Sequence, residues 1–138
     1  MKVEHQIRAF KQVLENYDGT QPLHRFLFSY FKQHKQMGSS DRRWATRYIY
    51  SFFRLGKALI TESEITRLAI ADFLCNENLS LVVEKELPLL AGSIVQPVTN
   101  KVDLIAKYYP GFDLQDVFPF RDALSQGIDQ DEFYASFF

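Results

Sequence analysis

Apolar residues recur at the spacing of an α-helix through the first third of this chain. In the segment 3–17 they follow one another at steps of four, three, four and three: Val3, Ile7, Phe10, Leu14 and Tyr17. In the segment 22–36 a similar stripe is formed by Leu23, Phe26, Leu27, Tyr30 and Phe31. Residues at such steps lie on one face of a helix, so each segment is predicted to bury one side and expose the other.

A third helix is predicted over residues 40–57, and its two faces differ in kind. At about 100° per residue, one arc is apolar and is formed by Trp44, Ala45, Tyr48, Ile49, Phe52 and Leu55. Four residues lie on the opposite side and are called the arginine–tyrosine stripe: Arg43, Arg47, Tyr50 and Arg54. The helix is therefore expected to bury its apolar arc and to expose this stripe.

Weaker patterns predict further helices in the rest of the chain. Thr61, with Glu64 three positions on, forms a capping box and indicates a fourth helix that ends near Asn76. The apolar stretch 79–91 is interrupted by Pro88 and indicates a short helix followed by another turn. The remaining expectations are a loop over 93–99, a helix over 100–109, turns over 114–117 and 120–124, and a last helix from Asp129 through Phe138.

These patterns predict an all-α fold, a compact helical bundle of at least five helices in a single domain. A length of 138 residues suits one domain. The core bundle is predicted over residues 1–92, and residues 93–138 are predicted to form a C-terminal helical extension. Nine residues are expected to be buried in the core: Phe10, Leu14, Leu27, Phe31, Trp44, Tyr48, Phe52, Leu68 and Phe73.

Charge is divided unevenly along the chain. Residues 1–58 hold 11 Lys and Arg against 4 Asp and Glu, a net charge of +7, whereas residues 59–138 hold 5 against 13, a net charge of −8. A basic half of this kind often contacts a polyanion. The alternative is that the two halves pack together and neutralise each other in part.

The basic half is the candidate nucleic-acid surface. Arginine can grip a phosphate through two parallel hydrogen bonds, and a tyrosine ring can stack on a base. The predicted contacts are Arg8, Lys11, Arg42, Arg43, Arg47, Tyr50, Arg54 and Lys57. Three arginines in the stripe imply that log affinity falls with log salt at a slope near about −2. Charged helix faces are usually only solvated, and this remains the alternative for the stripe.

No self-sufficient catalytic site is predicted. The chain lacks a Gly-rich phosphate loop and an acid–base pair of carboxylates, and its three histidines are scattered, so no metal site is expected. The single cysteine, Cys75, is interpreted as a buried structural thiol, with a reactive thiol as the alternative. The charged N-terminus is not a signal peptide and no apolar run reaches about 20 residues, so a cytoplasmic protein without a membrane partner is predicted.

One segment of the predicted third helix resembles a sequence pattern of a known protein family. Ser40-Asp41-Arg42-Arg43, followed by Tyr50 and Arg54, resembles the pattern D-R-x(6)-Y/F-G-x-L-R. That pattern belongs to the N-terminal domain of the Sun (Fmu) family of ribosomal RNA cytosine-5 methyltransferases, a domain that looks like the antitermination factor NusB. The resemblance covers roughly residues 3–75. It departs at Ser51-Phe52-Phe53, where the family often has glycine.

The resemblance implies a NusB-like module that binds ribosomal RNA and is not itself catalytic. In this family S-adenosylmethionine and the paired cysteines belong to a separate C-terminal domain, so residues 1–138 are expected to bind no cofactor. The apolar ending at Phe138 is then interpreted as a point before a missing catalytic domain, with a terminal helix that docks on the core as the alternative. The alternative functions are a protein-interaction module and a stand-alone NusB-like antitermination factor.

Asp41 and Arg42 are also expected to have a structural role. Asp41 falls in the first turn of the third helix, where a negative charge favours the helix dipole. Arg42 is predicted to tie this turn to another helix, in competition with a role in RNA binding.

Overall fold

The fold of this chain is known from a computed structural model, which describes residues 2–117. These residues form six α-helices and contain no β-strand, which confirms the prediction of an all-α fold with at least five helices. The helices are α1 Val3–Asn16, α2 Leu23–Gln33, α3 Ser39–Arg54, α4 Glu64–Cys75, α5 Leu81–Glu86 and α6 Val98–Tyr108. The predicted turn at 120–124 and the last helix from Asp129 lie outside the described residues.

The chain divides into two units, Met1–Tyr50 and Ser51–Phe138, and the boundary falls within α3. Each unit has buried residues of its own. The predicted core bundle over 1–92 and the extension over 93–138 are not tested by this division and stay predictions.

The first unit is built on the amphipathic faces of α1, α2 and the first three turns of α3. Buried side chains from the predicted stripes include Phe10, Leu27, Ala45, Tyr48 and Ile49. On α1 the prediction is wrong by one position, since Val13 is fully buried and Leu14 only partly buried. The rings of Phe10 and Tyr48 meet edge to face with centroids 6.4 Å apart, which joins α1 to α3. Gly19, with φ of +79°, takes the left-handed backbone that glycine favours, and it follows the end of α1.

The second unit is organised around α4. All seven residues from Leu68 to Leu74 are buried, so this helix has no solvent face along its middle. It packs against α5 and α6. A helix that is enclosed on every side in this way is the centre of its unit.

The turn between α3 and α4 is held by a side chain from α4. The Arg67 guanidinium donates to the carbonyl oxygens of Ala58 (3.1 Å) and Gly56 (2.6 Å), and lies over the Phe52 ring. Gly56 and Leu59 both have left-handed backbone, with φ of +60° and +53°. For leucine this conformation is strained, and the bonds from Arg67 help to hold the turn in place.

Two predicted helix starts, those of α4 and α6, are wrong by a few residues. α4 is capped by Ser63, whose Oγ accepts from the Thr66 backbone N–H, and not by Thr61. The predicted loop over 93–99 is shorter, because a 3-10 helix covers Ala91–Ser93 and α6 begins at Val98, directly after Pro97. Proline fixes its own backbone angle and suits a helix start, which the pattern from residue 100 onward did not reveal.

Five of the nine predicted core residues are confirmed as buried: Phe10, Leu27, Tyr48, Leu68 and Phe73. The other four are only partly buried: Leu14, Phe31, Trp44 and Phe52. Trp44 and Phe52 are each covered on one side by an arginine, Arg47 and Arg67 respectively, with the guanidinium carbon 5.1 Å from the ring centroid. Rings at the edge of a stripe can thus be covered by an arginine guanidinium, which a periodicity argument does not detect.

Candidate nucleic-acid interface

The N-terminal half of α3 presents Arg43 on the side opposite to its buried face, whereas Arg42, seven positions before Ile49, lies in the first turn on the same side as Ile49. Ala45, Tyr48 and Ile49 have no exposed surface, whereas Arg42 and Arg43 are exposed. At about 100° per residue, Arg43 lies about 120° to 160° around the helix from these three buried side chains. The structure therefore agrees with the predicted division of α3 into a buried arc and an arginine face within the first unit.

Arg47 has a more specific position than the other arginines of α3. Its guanidinium carbon lies 5.1 Å from the centroid of the Trp44 ring, and the residue is half-buried. A cation over an indole face is attracted by the ring quadrupole. Arg47 thus contributes charge to this surface and also shields Trp44. Tyr50 follows three positions later and is exposed, as predicted.

Two polar contacts fix α3 against α1. His5 Nε2 lies 3.0 Å from Asp41 Oδ1, and the buried hydroxyl of Tyr48 donates to Gln6 Oε1 at 2.6 Å. Asp41 lies in the first turn and links to another helix, so its predicted structural role is confirmed. Arg42 is exposed, and its predicted tie to another helix stays a prediction. The contacts hold the first turns of α3 in one orientation and so define where Arg42 and Arg43 point.

The two basic residues predicted on α1 have acidic neighbours. Arg8 is exposed and follows Glu4 by four positions, and Lys11 is half-buried and precedes Glu15 by four. Side chains four apart on a helix are neighbours, so opposite charges alternate on this face. The outer side of α1 is therefore mixed in charge, and Arg8 and Lys11 are weaker candidates than Arg42 and Arg43.

The last two predicted residues belong to the second unit. Arg54 and Lys57 are both exposed, and the Lys57 backbone N–H donates to the Asp116 carbonyl oxygen at 2.9 Å. Burial raises the pKa of the Cys75 thiol, and the positive charge of Arg54 lowers it by a smaller amount. The predicted set is thus divided between the two units, with six residues in the first and two in the second.

Sequence reasoning missed the charged centre of the second unit, Lys101. This residue is 1% exposed, and its Nζ donates to the carbonyl oxygens of Phe73 (2.8 Å), Asn76 (3.0 Å) and Ile94 (3.1 Å). An ammonium group has three donors, so all three are used. Burial lowers the pKa of Lys101. The ammonium group caps the C-terminal end of α4, because it donates to the carbonyl oxygens of Phe73 and Asn76 there. Since Lys101 is buried and all three of its donors are used, its role is structural.

A second buried polar group, Asp72, lies one turn from the end of α4. Its carboxylate accepts from Ser80 Oγ at 2.6 Å and from Asn76 Nδ2 at 3.0 Å, and Ser80 in turn caps α5 through the Val83 backbone N–H. The Asn76 amide also donates to Ser51 Oγ at 3.1 Å. These bonds join the ends of α4 and α5, which assigns Asp72 a structural role.

Cys75 lies at the end of α4, next to this network. Burial raises the pKa of its thiol from 9.0 to about 12. Because only the thiolate reacts, we expect iodoacetamide at pH 8 to label Cys75 at least about tenfold more slowly in the folded protein than in urea. Mass spectrometry over time measures both rates. Equal rates would show a reactive thiol and would contradict the structural interpretation.

Two open clefts lie in the second unit. One, of about 390 Å³, is lined by Cys75, Glu77 and Lys101 together with Val95, Gln96 and Pro97. The other, of about 320 Å³, runs between the turn at Ile60 and Glu62 and the end of α6 at Tyr108 and Tyr109. Within residues 2–117, no group of three or more His, Cys, Asp or Glu side chains is arranged to hold a metal ion. None of the described helices is both long and apolar enough to cross a membrane.

Comparison with known proteins found no matching family model, no matching curated protein and no matching solved structure.

Proposed function

We propose that this chain is an RNA-binding module that contacts the phosphate backbone through the first turns of α3. The observation that carries the proposal is the orientation of α3. Ala45, Tyr48 and Ile49 are fully buried, Arg43 is exposed on the opposite side, and Arg42 is exposed in the first turn. A planar guanidinium on a fixed helix suits bidentate phosphate contacts. The net charge of +7 over residues 1–58 supports attraction of a polyanion to this half.

The family resemblance of the Asp41–Arg54 segment gives this module a context. A module of this kind would place structured ribosomal RNA for a cytosine-5 methyltransferase, and the chemistry with S-adenosylmethionine would occur in a separate domain. The chain's own contribution would be binding and orientation, because the buried Asp72, Ser80 and Lys101 of its second unit are engaged in structural hydrogen bonds. A stand-alone antitermination factor would use the same RNA surface.

The test is the double reversal Arg42→Glu/Arg43→Glu. Affinity for a ribosomal RNA fragment is expected to fall at least about tenfold, and the log–log salt slope to become shallower by about 1.4, which is two phosphates at about 0.7 each. Fluorescence anisotropy over a salt series measures both quantities. Arg47 is left unchanged because its contact with Trp44 gives it a packing role.

The matched control is Lys85→Glu/Lys107→Glu, which makes the same change in net charge on exposed residues of the second unit. It is expected to retain the salt slope of the wild type. The Arg42→Glu/Arg43→Glu variant is expected to stay folded, since Glu near the start of α3 is favoured by the helix dipole. If the Arg42/Arg43 variant keeps its affinity and slope, or the wild type shows no salt dependence, this surface does not bind RNA.

A protein partner is the second candidate function, and the cleft of about 320 Å³ favours it. Two exposed apolar side chains border this cleft, Ile60 and Tyr108. Aromatic and aliphatic anchors of this kind are typical of protein interfaces. Loss of partner binding in Tyr108→Ala, with RNA binding intact, would identify this surface as the interface.

A further inference from the structure

The outer face of α2 carries an exposed aromatic ring between two cations. Phe28 is 73% exposed, and it has Arg25 three positions before it and Lys32 four positions after it, both exposed. Residues three and four apart are surface neighbours on a helix. The buried residues of α2, Phe26, Leu27 and Tyr30, occupy its other side. The ring of Phe28 is therefore accessible and flanked by positive charge.

This face differs from the outer face of α1 in having no acidic residue nearby in sequence. From Gly19 to Ser40 the chain contains no Asp or Glu, and its charged residues are Arg25, Lys32 and Lys35. A single exposed apolar side chain needs no explanation by itself. The combination of a ring with cations at both neighbouring positions has the composition of surfaces that bind single-stranded nucleic acid.

From this geometry we infer that Phe28 is a stacking platform for an unpaired base of RNA, with Arg25 and Lys32 contacting the adjacent phosphates. The inference deepens the proposed RNA binding and rests on it. A base offers a flat π-face to the ring whatever its identity, so the contact selects for unpaired strands and not for sequence. A membrane surface fits less well, because an interfacial helix needs a broad apolar face and the outer side of α2 offers only Phe28.

The experiment compares Phe28→Ala with the wild type on two probes, a short uridine oligomer and an RNA duplex. Affinity for the single strand is expected to fall about 5- to 150-fold, the range for loss of one stacked base. The salt slope should not change, because phenylalanine carries no charge. Duplex binding is expected to be unaffected. Phe28→Tyr should restore single-strand binding, since it keeps the ring.

Leu89→Ala is the matched control, because Leu89 is 79% exposed but lies three positions after Glu86, in the second unit. It should bind both probes as the wild type does. If the wild type binds RNA with salt dependence but Phe28→Ala has the same single-strand affinity, the stacking inference is wrong while the proposed function stands. If the wild type binds neither probe, both are wrong. An effect of Phe28→Ala on anionic vesicles alone would assign the face to lipid and overturn the inference.

Discussion

Replacing Lys101 with methionine is expected to lower the free energy of unfolding by about 2–4 kcal/mol. Methionine keeps the length and the apolar part of the side chain, but it leaves the carbonyl oxygens of Phe73, Asn76 and Ile94 without the donor they now share. Burial of the Lys101 ammonium has a desolvation cost, which is also what lowers its pKa. Methionine does not have this cost, so part of the loss is offset. Urea unfolding followed by circular dichroism measures the change.

Lys107→Met provides the comparison for this prediction. Lys107 lies on the same helix but is exposed, so the same chemical change removes no buried donor. Its unfolding midpoint is expected to match that of the wild type. The position of Cys75 next to the same helix end allows a local readout, since alkylation should become faster in Lys101→Met and not in Lys107→Met. Equal midpoints for the two variants would show that the three bonds contribute nothing net.

In the first unit the largest effect is expected from Tyr48→Ala, at about 3–5 kcal/mol. Tyr48 has no exposed surface, and its ring contacts Phe10 edge to face and lies 5.6 Å from Trp44 between centroids. Truncation empties this space and also removes the hydroxyl that donates to Gln6. Since Trp44 is the single tryptophan of the chain, its fluorescence reports unfolding of this unit directly.

Two further variants separate the contributions at this position. Tyr48→Phe keeps the ring but leaves Gln6 Oε1 without its donor, so a smaller loss of about 1–2 kcal/mol is expected. Tyr50→Ala removes an exposed ring two positions along and should leave the midpoint unchanged. If the loss of unfolding free energy decreases in the order Tyr48→Ala, Tyr48→Phe, Tyr50→Ala, packing is the main contribution of Tyr48. A Tyr48→Ala midpoint equal to that of Tyr50→Ala would contradict it.

The first three helices could be predicted from sequence because each has one buried and one exposed face. Their apolar residues then repeat at helical spacing, and the predicted spans 3–17, 22–36 and 40–57 differ from the observed bounds by at most three residues at either end. α4 is harder, because its middle is buried on all sides and its apolar residues show no strong period. Its start was wrong because Thr61 and Ser63 are both able to cap a helix.

The polar contacts of the second unit could not have been predicted. Lys101 receives its three acceptors from positions 73, 76 and 94, which come together only in the folded chain. In sequence it resembles any lysine on a helix. The same holds for Phe28, because its helical spacing to Arg25 and Lys32 is readable but its exposure is set by packing. The exposure of Arg43 and Arg54 on α3 was predictable, since both lie opposite the apolar arc of that helix.

The bonds from Arg67 have a consequence for the order in which the second unit forms. Within the turn that contains Leu59, Ala58 and Gly56 accept the two guanidinium bonds from Arg67, which lies nine and eleven positions later in the chain. A nascent chain that ends before α4 lacks these two bonds, so they do not offset the strain of left-handed backbone at Leu59. The turn therefore gains its native bonds only once α4 has formed, so α4 is expected to precede the connection that leads into it.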